Sequence, residues 1–367
     1  MKVALALESF DPQRGGLEQW TWQFAQALLQ RGHEVHVVAF HFAANQAPAG
    51  IREHRLPFDP SPIKRAELLE KHLCELHTDI THDMGFGWFG DIFHPHGGSS
   101  IAAQEHNLLR IPAWRRIRFW REKRYREQRE IVRRRDKSRG IIVCVSELVR
   151  RHFQMLHGID ASRLRVIYNG VNTDCFSPRS QMRNKAREQF GLADETVFLL
   201  VAHNLKLKNA ATFLRAFAKL PDKNTRALIV GSDRVQPFVR LTKRLKIESR
   251  VCFQNAVTDM RPIYAAADVC VHPTWYDPCS LVTLEALASG LPVITSHFNG
   301  ASGLMRDGAQ GYIIDAADAS ALAQKMETLL DSELRTQMSR AARTLAQEHT
   351  FAQNVEQFLA LYAEIAR

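Results

Sequence analysis

The strongest constraint on the fold is an alternation of short apolar runs with longer amphipathic stretches, which breaks off near residue 175 and restarts near 196. Buried parallel strands have such short apolar runs, and the stretches between them suit crossover helices. In the first half, Lys2–Leu7 reads as a strand, Leu17–Gln30 as a helix and Glu34–Phe40 as a second strand. Arg31-Gly32-His33 between the last two has the composition of a helix C-terminus. A helix near Arg65–Leu76, short strands at Asp79–His82 and Asp91–Phe93, a strand Gly140–Val145, a helix from Ser146 and a strand Arg165–Tyr168 follow.

Residues 175–196 read as an interdomain connection. Beyond them, strands are predicted at Val197–Ala202, Arg226–Val230, Val251–Gln254, Asp268–His272 and Pro292–Thr295. Helices fit at Ala210–Leu220, Gln236–Leu245, Asp259–Ala266 and Leu281–Ser289, and the run from Ser320 to Arg367 reads as helices. Strict β-α alternation predicts an α/β fold with a doubly wound parallel sheet in each half. A chain of 367 residues also exceeds one ordinary core, so two domains are expected.

Composition excludes several classes. With 45% hydrophobic and 24% charged residues the composition fits a soluble globular enzyme rather than a disordered or fibrous chain. No apolar run approaches the roughly 18–20 residues that span a bilayer. The N-terminus lacks the apolar core of a signal peptide and reads as the first strand of a cytoplasmic protein. Six cysteines without a CxxC pair or zinc spacing imply a reduced compartment and no disulfide framework.

The net charge of +10 is concentrated. Residues 110–139 hold fourteen Lys/Arg and four Asp/Glu, so this one segment carries the whole excess. Within it, Trp114, Ile117, Trp120 and Tyr125 fall roughly along one helical face, with arginine dominating elsewhere. Such a stripe suits an anionic membrane surface or a phosphorylated glycolipid, and in principle nucleic acid. It also fits a solvated arginine-rich helix whose aromatics pack on the domain.

Three places carry chemistry. Gly15-Gly16 follows the first strand at the mouth of a helix, where backbone can approach a phosphate. An ordinary loop carries the same pair, and the GxGxxG pattern of NAD and FAD enzymes is absent. In the second half, His272-Pro273-Thr274-Trp275-Tyr276-Asp277-Pro278-Cys279-Ser280 leads through Leu281 and Val282 to Glu285 and then Gly290-Leu291-Pro292-Val293. This order of strand, loop, helix and glycine turn lets Asp277, Glu285 and the helix-start amides face one ligand. Carboxylates accept hydrogen bonds from sugar hydroxyls and amides suit a diphosphate. A surface Asp and a solvated helical Glu would have the same spacing. The third place, His94-Pro95-His96-Gly97-Gly98, pairs two histidines with no third ligand nearby in sequence, so no metal site is assigned.

The acidic pair, separated by seven residues and followed by Ala286 and a Gly-x-Pro-Val turn, resembles the signature of family 4 glycosyltransferases of GT-B fold, with Asp277 where the family usually has Glu. Further matches run in order along the chain. They are Gly15-Gly16 with Gly32-His33-Glu34-Val35, Val145-Ser146 with Val166–Asn172 and Phe176-Ser177-Pro178, and Ala202–Asn209, where an Arg and a Lys-Gly pair usually grip the donor diphosphate. Lys208 matches the Lys, Lys206 is the second cation, and Asn209 replaces the glycine.

The resemblance implies two Rossmann-like doubly wound domains with a cleft between them: residues 1–175 on the acceptor side, 176–347 binding a nucleotide-sugar, and a helix in 348–367 crossing back. It implies that Glu285 binds the donor ribose, Asp277 the transferred sugar, and Lys208 the leaving diphosphate. His96 would reach the donor sugar, Asn255 and Val257 would line the base pocket, and Ser280, Leu281, Val282, Gly15 and Gly16 would complete the donor site. Ser296–Gly303 would form a loop near the sugar. The implied reaction is metal-independent and retaining, by front-face attack, with no cofactor. A hexose would pass from a nucleotide-sugar, taken as a UDP-sugar, to a hydroxyl of an anionic glycolipid or saccharide such as lipopolysaccharide core, and the layout resembles core glucosyltransferases. The basic segment would meet that acceptor or the inner membrane face, with nucleic acid the least favoured partner. A nucleotide-sugar epimerase, a sugar phosphorylase or a catalytically silent anion-surface-binding relative would fit the same scaffold.

Overall fold

The computed structural model describes residues 1–43, 47–109, 123–231 and 233–366, without the side chains of 107–109, 123–125 and 180. The chain forms two compact units, Met1–Tyr168 with Asn354–Arg367 and Asn169–Gln353. These boundaries fall a few residues from the 175 and 347 that the sequence pattern and the family resemblance imply.

The first unit contains β1 (Lys2–Phe10), α1 (Gly16–Gln30), β2 (Glu34–Phe42), β3 (Ile51–Arg55), α2 (Pro62–Leu76), β4 (Ile80–Asp83), β5 (Ile92–Phe93), α3 (Ser100–Leu109), α4 (Lys123–Lys137), β6 (Ile141–Cys144), α5 (Glu147–His157) and β7 (Leu164–Val166). Its sheet is parallel with order β3-β2-β1-β4-β5-β6-β7. The second unit contains α6 (Ser180–Gln189), β8 (Thr196–Val201), α7 (Ala210–Phe217), β9 (Thr225–Val230), α8 (Gln236–Leu245), β10 (Val251–Gln254), α9 (Arg261–Ala266), β11 (Val269–His272), α10 (Leu281–Ala288), β12 (Val293–Ser296), β13 (Gly311–Ile314), α11 (Ala319–Thr328) and α12 (Ser332–Gln347), after which the chain enters α13 (Phe351–Ile365). Its sheet is also parallel, in the order β10-β9-β8-β11-β12-β13.

In each sheet the order reverses once, between β1 and β4 and between β8 and β11. At such a switch point the loops leaving two adjacent strands diverge to opposite faces and open a crevice beyond the strand ends. Strand interiors are buried on both faces, as the continuous apolar runs require: Val3–Leu7 and Val197–Leu200 are wholly inaccessible. In the second unit, Phe198, Leu200, Phe213, Phe217, Val271 and Leu322 share one core. Gly231, just after β9, is held to glycine by crowding, because a Cβ there would lie 1.8 Å from the Ala202 carbonyl oxygen.

The strands that pattern reading missed, β3 and β13, are both sheet edges. Edge strands tolerate polar residues, and Ile51-Arg-Glu-His-Arg55 shows no apolar run. Two other departures concern length and type. Asp91–Phe93 contracts to two residues of strand, and the connection at 175–196 contains α6.

From Asn354 onward, α13 belongs with the first unit. Its apolar face supplies Phe358, stacked on His82 at 5.3 Å and edge-on to Phe24 at 5.3 Å, and Tyr362, whose hydroxyl lies 2.6 Å from His82 Nδ1. Trp20 Nε1 donates to Asn354 Oδ1 at 3.1 Å. The rim ion pairs Arg31–Glu356 and Arg165–Glu364 are exposed and contribute little beside this buried cluster.

Candidate functional site

In the second unit the switch point brings together residues that are distant in sequence. The loop after β8 turns at Asn204, whose Oδ1 accepts Leu207 N at 2.9 Å, and ends at Asn209 in a left-handed conformation with φ 59°. Asparagine is among the few residues that tolerate this region. Its Nδ2 donates to Ala316 O at 2.6 Å and fixes the start of α7. The loop after β11 is stitched to the same turn, because Leu207 O accepts Trp275 N at 3.0 Å and Thr274 Oγ1 at 3.2 Å.

Lys208 Nζ thereby reaches Asp277 Oδ2 at 2.5 Å, and His272 Nε2 lies 3.1 Å from the same oxygen. The side chains of Lys208 and Asp277 are only 19% and 13% exposed, so water screens the pair weakly. Burial pushes the Asp277 carboxyl up, but the Lys208 ammonium and the His272 hydrogen bond outweigh it and hold it below the ordinary carboxylate range. Burial lowers the basicity of His272. The site therefore presents a fixed carboxylate and a cation at one point beyond the ends of β8 and β11.

Ser280 opens α10 as its N-cap, Oγ accepting Thr283 N at 3.2 Å, and the amides of Leu281 and Val282 fall in the first turn, before intrahelical bonding begins. Asn299, fully buried, binds this turn to the loop after β12. Its Oδ1 accepts Ser280 N at 3.2 Å and its Nδ2 donates to Thr283 Oγ1 at 2.9 Å and Thr295 Oγ1 at 3.0 Å. Asp277 pairs in parallel with Asn299 through the backbone, so the 296–303 loop is locked to the acidic loop.

Glu285 does not join the Lys208–Asp277 pair. Its Oε2 accepts the Tyr264 hydroxyl at 2.7 Å, and burial raises its pKa to about 7, with the tyrosine hydrogen bond pulling the other way. Lys206 stands exposed on the β8 loop. Asn255 and Val257 follow β10, the edge strand, at the same end of the sheet.

The remaining expected residues lie in the first unit. Gly15 and Gly16 begin α1. Gly15 has extended backbone, and a Cβ there would meet only the Glu18 carboxylate tip. His96 follows β5, its ring 4.8 Å from Trp20 and 4.0 Å from His94, and burial lowers its pKa to about 3, so the ring is neutral. His272, Asn299 and Tyr264 escaped the sequence reading. His272 had a usable signal, ending a strand five residues before Asp277, whereas nothing in the sequence links Tyr264 to Glu285.

Among the described residues, no group of three or more His, Cys, Asp or Glu side chains is arranged to hold a metal ion, and the six cysteines are free thiols. No helix of the described residues is long and apolar enough to cross a membrane. The aromatic stripe Trp114–Tyr125 lies outside the residues whose side chains are described. Of the basic segment, the described part of α4 shows Arg133 and Arg134 paired with Glu130, and Arg135 buried and donating to the Gly85 and Gly87 carbonyls.

Residues 14–175 match the family described as glycosyltransferase family 4, and residues 182–345 match glycosyl transferases group 1. The D-inositol 3-phosphate glycosyltransferase of Mycolicibacterium smegmatis is 28% identical over 95% of this chain and 86% of its own length. That of Mycobacterium sp. (strain JLS) is 35% identical over 55% of this chain, which spans about half (47%) of that relative. Among solved structures, WaaG, a glycosyltransferase involved in lipopolysaccharide biosynthesis, superposes with TM-score 0.83 at 22% identity, covering 98% of this chain and 99% of its own. Anabaena Alr3699/HepE in complex with UDP superposes with TM-score 0.80 at 20% identity, covering 99% and 100%. The two glycosyltransferase domain matches, together spanning residues 14–345, and the fold shared with these structures make the chain a glycosyltransferase of GT-B type.

Proposed function

We propose that the chain is a metal-independent, retaining hexosyltransferase that takes its sugar from a UDP-sugar bound at the β8–β11 switch point. The observation that carries this reading is the part-buried Lys208–Asp277 pair at the crevice beyond the strand ends, beside the open first turn of α10. Lys208 neutralises charge developing on the departing diphosphate, together with the Leu281 and Val282 amides and, from the exposed side, Lys206. Asp277, held ionised, accepts hydroxyls of the transferred sugar, and Glu285 accepts those of the ribose. Asn255 and Val257 border the base, and Ser280 holds the α10 turn. His96, kept neutral, and the Gly15-Gly16 turn are the contributions of the first unit. The departing phosphate takes the acceptor proton as the new bond forms on the same face. Complexes of Anabaena HepE with UDP and with UDP-glucose support the choice of nucleotide.

The acceptor is anionic and carries phosphate. The M. smegmatis relative is named for an inositol phosphate and WaaG for lipopolysaccharide, and the +10 of residues 110–139 suits either a phosphorylated sugar or an anionic glycolipid at a membrane face.

The test is a thermal-shift titration with UDP-, GDP- and ADP-glucose in EDTA. A ligand bound only by the folded state adds about 2.7 kcal/mol at a hundredfold excess over its dissociation constant. Stabilisation by the UDP-sugar, lost in Glu285→Gln, is the expected result, with proton NMR of the product then reading the anomeric configuration. Absence of any shift overturns the donor assignment.

A further inference from the structure

Resting on that donor reading, we propose that Tyr264 is a positioning residue for Glu285, its hydroxyl holding one carboxylate oxygen so that the other is presented, ionised, to the paired hydroxyls of a nucleoside diphosphate. Tyr264 lies on α9, fully buried, with its ring edge-on to Phe176 at a centroid distance of 5.7 Å and 86°. A ring packed in this way cannot follow a moving carboxylate, so the 2.7 Å bond fixes Glu285 rather than the reverse. Among the described residues Oε2 has this one donor and Oε1 has none, so the outward oxygen is the one available to a ligand.

The surroundings isolate this one interaction as the tuning element. From β11, Cys270 faces the pair as a neutral thiol, pushed up to about 12 by burial and then by the Glu285 charge. From α12, Arg343 directs Nη1 to the carbonyls of Thr173, Phe176 and Ala288. Burial and the adjacent carboxylate keep Tyr264 protonated, so it remains a donor throughout the physiological range. A hydrogen bond donated to the charged form favours that form, opposing the burial that brings Glu285 to about 7. Removing the hydroxyl therefore shifts Glu285 toward the neutral acid, which accepts hydroxyl hydrogen bonds poorly. A tyrosine that merely satisfied its own hydroxyl would give a different signature, a stability loss with no change in any titration.

The test measures dissociation constants for UDP and for its 2′-deoxy analogue between about pH 5.5 and 8.5, in the full chain, for wild type, Tyr264→Phe and Glu285→Gln. Wild-type affinity for UDP is expected to fall on acidification with a midpoint close to the Glu285 value of about 7, and the deoxy analogue to show a weaker dependence. Tyr264→Phe moves that midpoint up by about half a unit or more, weakening binding about twofold or more at neutrality and little at the alkaline end. Glu285→Gln abolishes the pH dependence. An unmoved midpoint in Tyr264→Phe, with affinity reduced equally at every pH, overturns the proposal.

A nucleotide-free measurement separates this failure from that of the donor reading. A carboxyl whose folded pKa lies above its unfolded value loses stability as pH rises between the two. Wild type should therefore decline relative to Glu285→Gln from about pH 4.3 to about 7, and Tyr264→Phe should extend the decline upward. That extension without UDP binding by wild type removes the donor and keeps the coupling. UDP binding with identical declines in wild type and Tyr264→Phe removes the coupling and keeps the donor.

Discussion

Replacing Lys208 by methionine tests the switch-point pair directly. The variant keeps the volume of the stem and removes the ammonium 2.5 Å from Asp277 Oδ2, leaving His272 as the remaining side-chain partner. Breaking a fully buried ion pair by removing one partner costs about 3–5 kcal/mol, because the other charge stays buried without compensation. The pair here is 19% and 13% exposed, so partial solvation lowers the expectation to about 2–3 kcal/mol. In a unit of this size that corresponds to roughly 5–10 °C in melting temperature. Adding Asp277→Asn to Lys208→Met removes the stranded charge and should restore most of the loss, a coupling that a double-mutant cycle reads in urea denaturation. The sign of the pH dependence is also fixed. With its folded pKa depressed, Asp277 contributes stability that is fully present above its unfolded value of about 3.9 and disappears as pH falls through the folded value. In Lys208→Met only His272 still opposes burial, so the carboxyl pKa rises and the gap between wild type and variant should narrow as pH falls below about 4. Single variants that each cost under about 1 kcal/mol and add without coupling would refute the reasoning, because a solvated surface contact behaves that way.

Three further outcomes are expected. Asn209→Ala should be less stable than Asn209→Gly by about 1–2 kcal/mol in chemical denaturation, because φ of 59° strains a β-carbon without asparagine's local hydrogen bonding, while both variants lose the bond to Ala316 O. Tyr362→Phe should destabilise the first unit by about 1–3 kcal/mol, measured by denaturation or by hydrogen exchange in α13, because His82 Nδ1 is left buried without its hydroxyl partner. Since burial lowers the His82 pKa to about 3, below its unfolded value, this unit should also lose stability as pH falls below about 6.5, where the unfolded chain begins to take up the proton.

Periodicity reached the interior of both sheets and missed one edge strand of each, β3 and β13. Central strands such as β1 and β8 are buried on both faces and must be apolar throughout, so their sequence pattern is determined by their position. The edge strand β3 meets solvent and carries Arg52, Glu53 and His54, a pattern also typical of loops. Likewise α6 has a polar composition, and what anchors it is arginine. Arg183 and Arg187 reach Asp268 and the backbone carbonyls of Ala265, Ala266 and Ala267. No hydrophobic repeat announces a helix held that way.

The site divides along the same line. Positions tied to a strand end or a helix start were legible, because topology fixes where such residues go: Lys208 follows β8, and Asp277 and Ser280 follow β11, its neighbour at the switch point. What spacing could not supply was partnership. Asp277 and Glu285 lie eight positions apart in a motif that invites treating them as one pair, yet one is held ionised by Lys208 and the other is drawn toward neutrality by burial. The difference is set by residues 69 and 21 positions away, Lys208 and Tyr264, whose approach depends on the packing of α9 and on the turn at Asn209. Two carboxylates in one motif thus acquire different charge states from different neighbours.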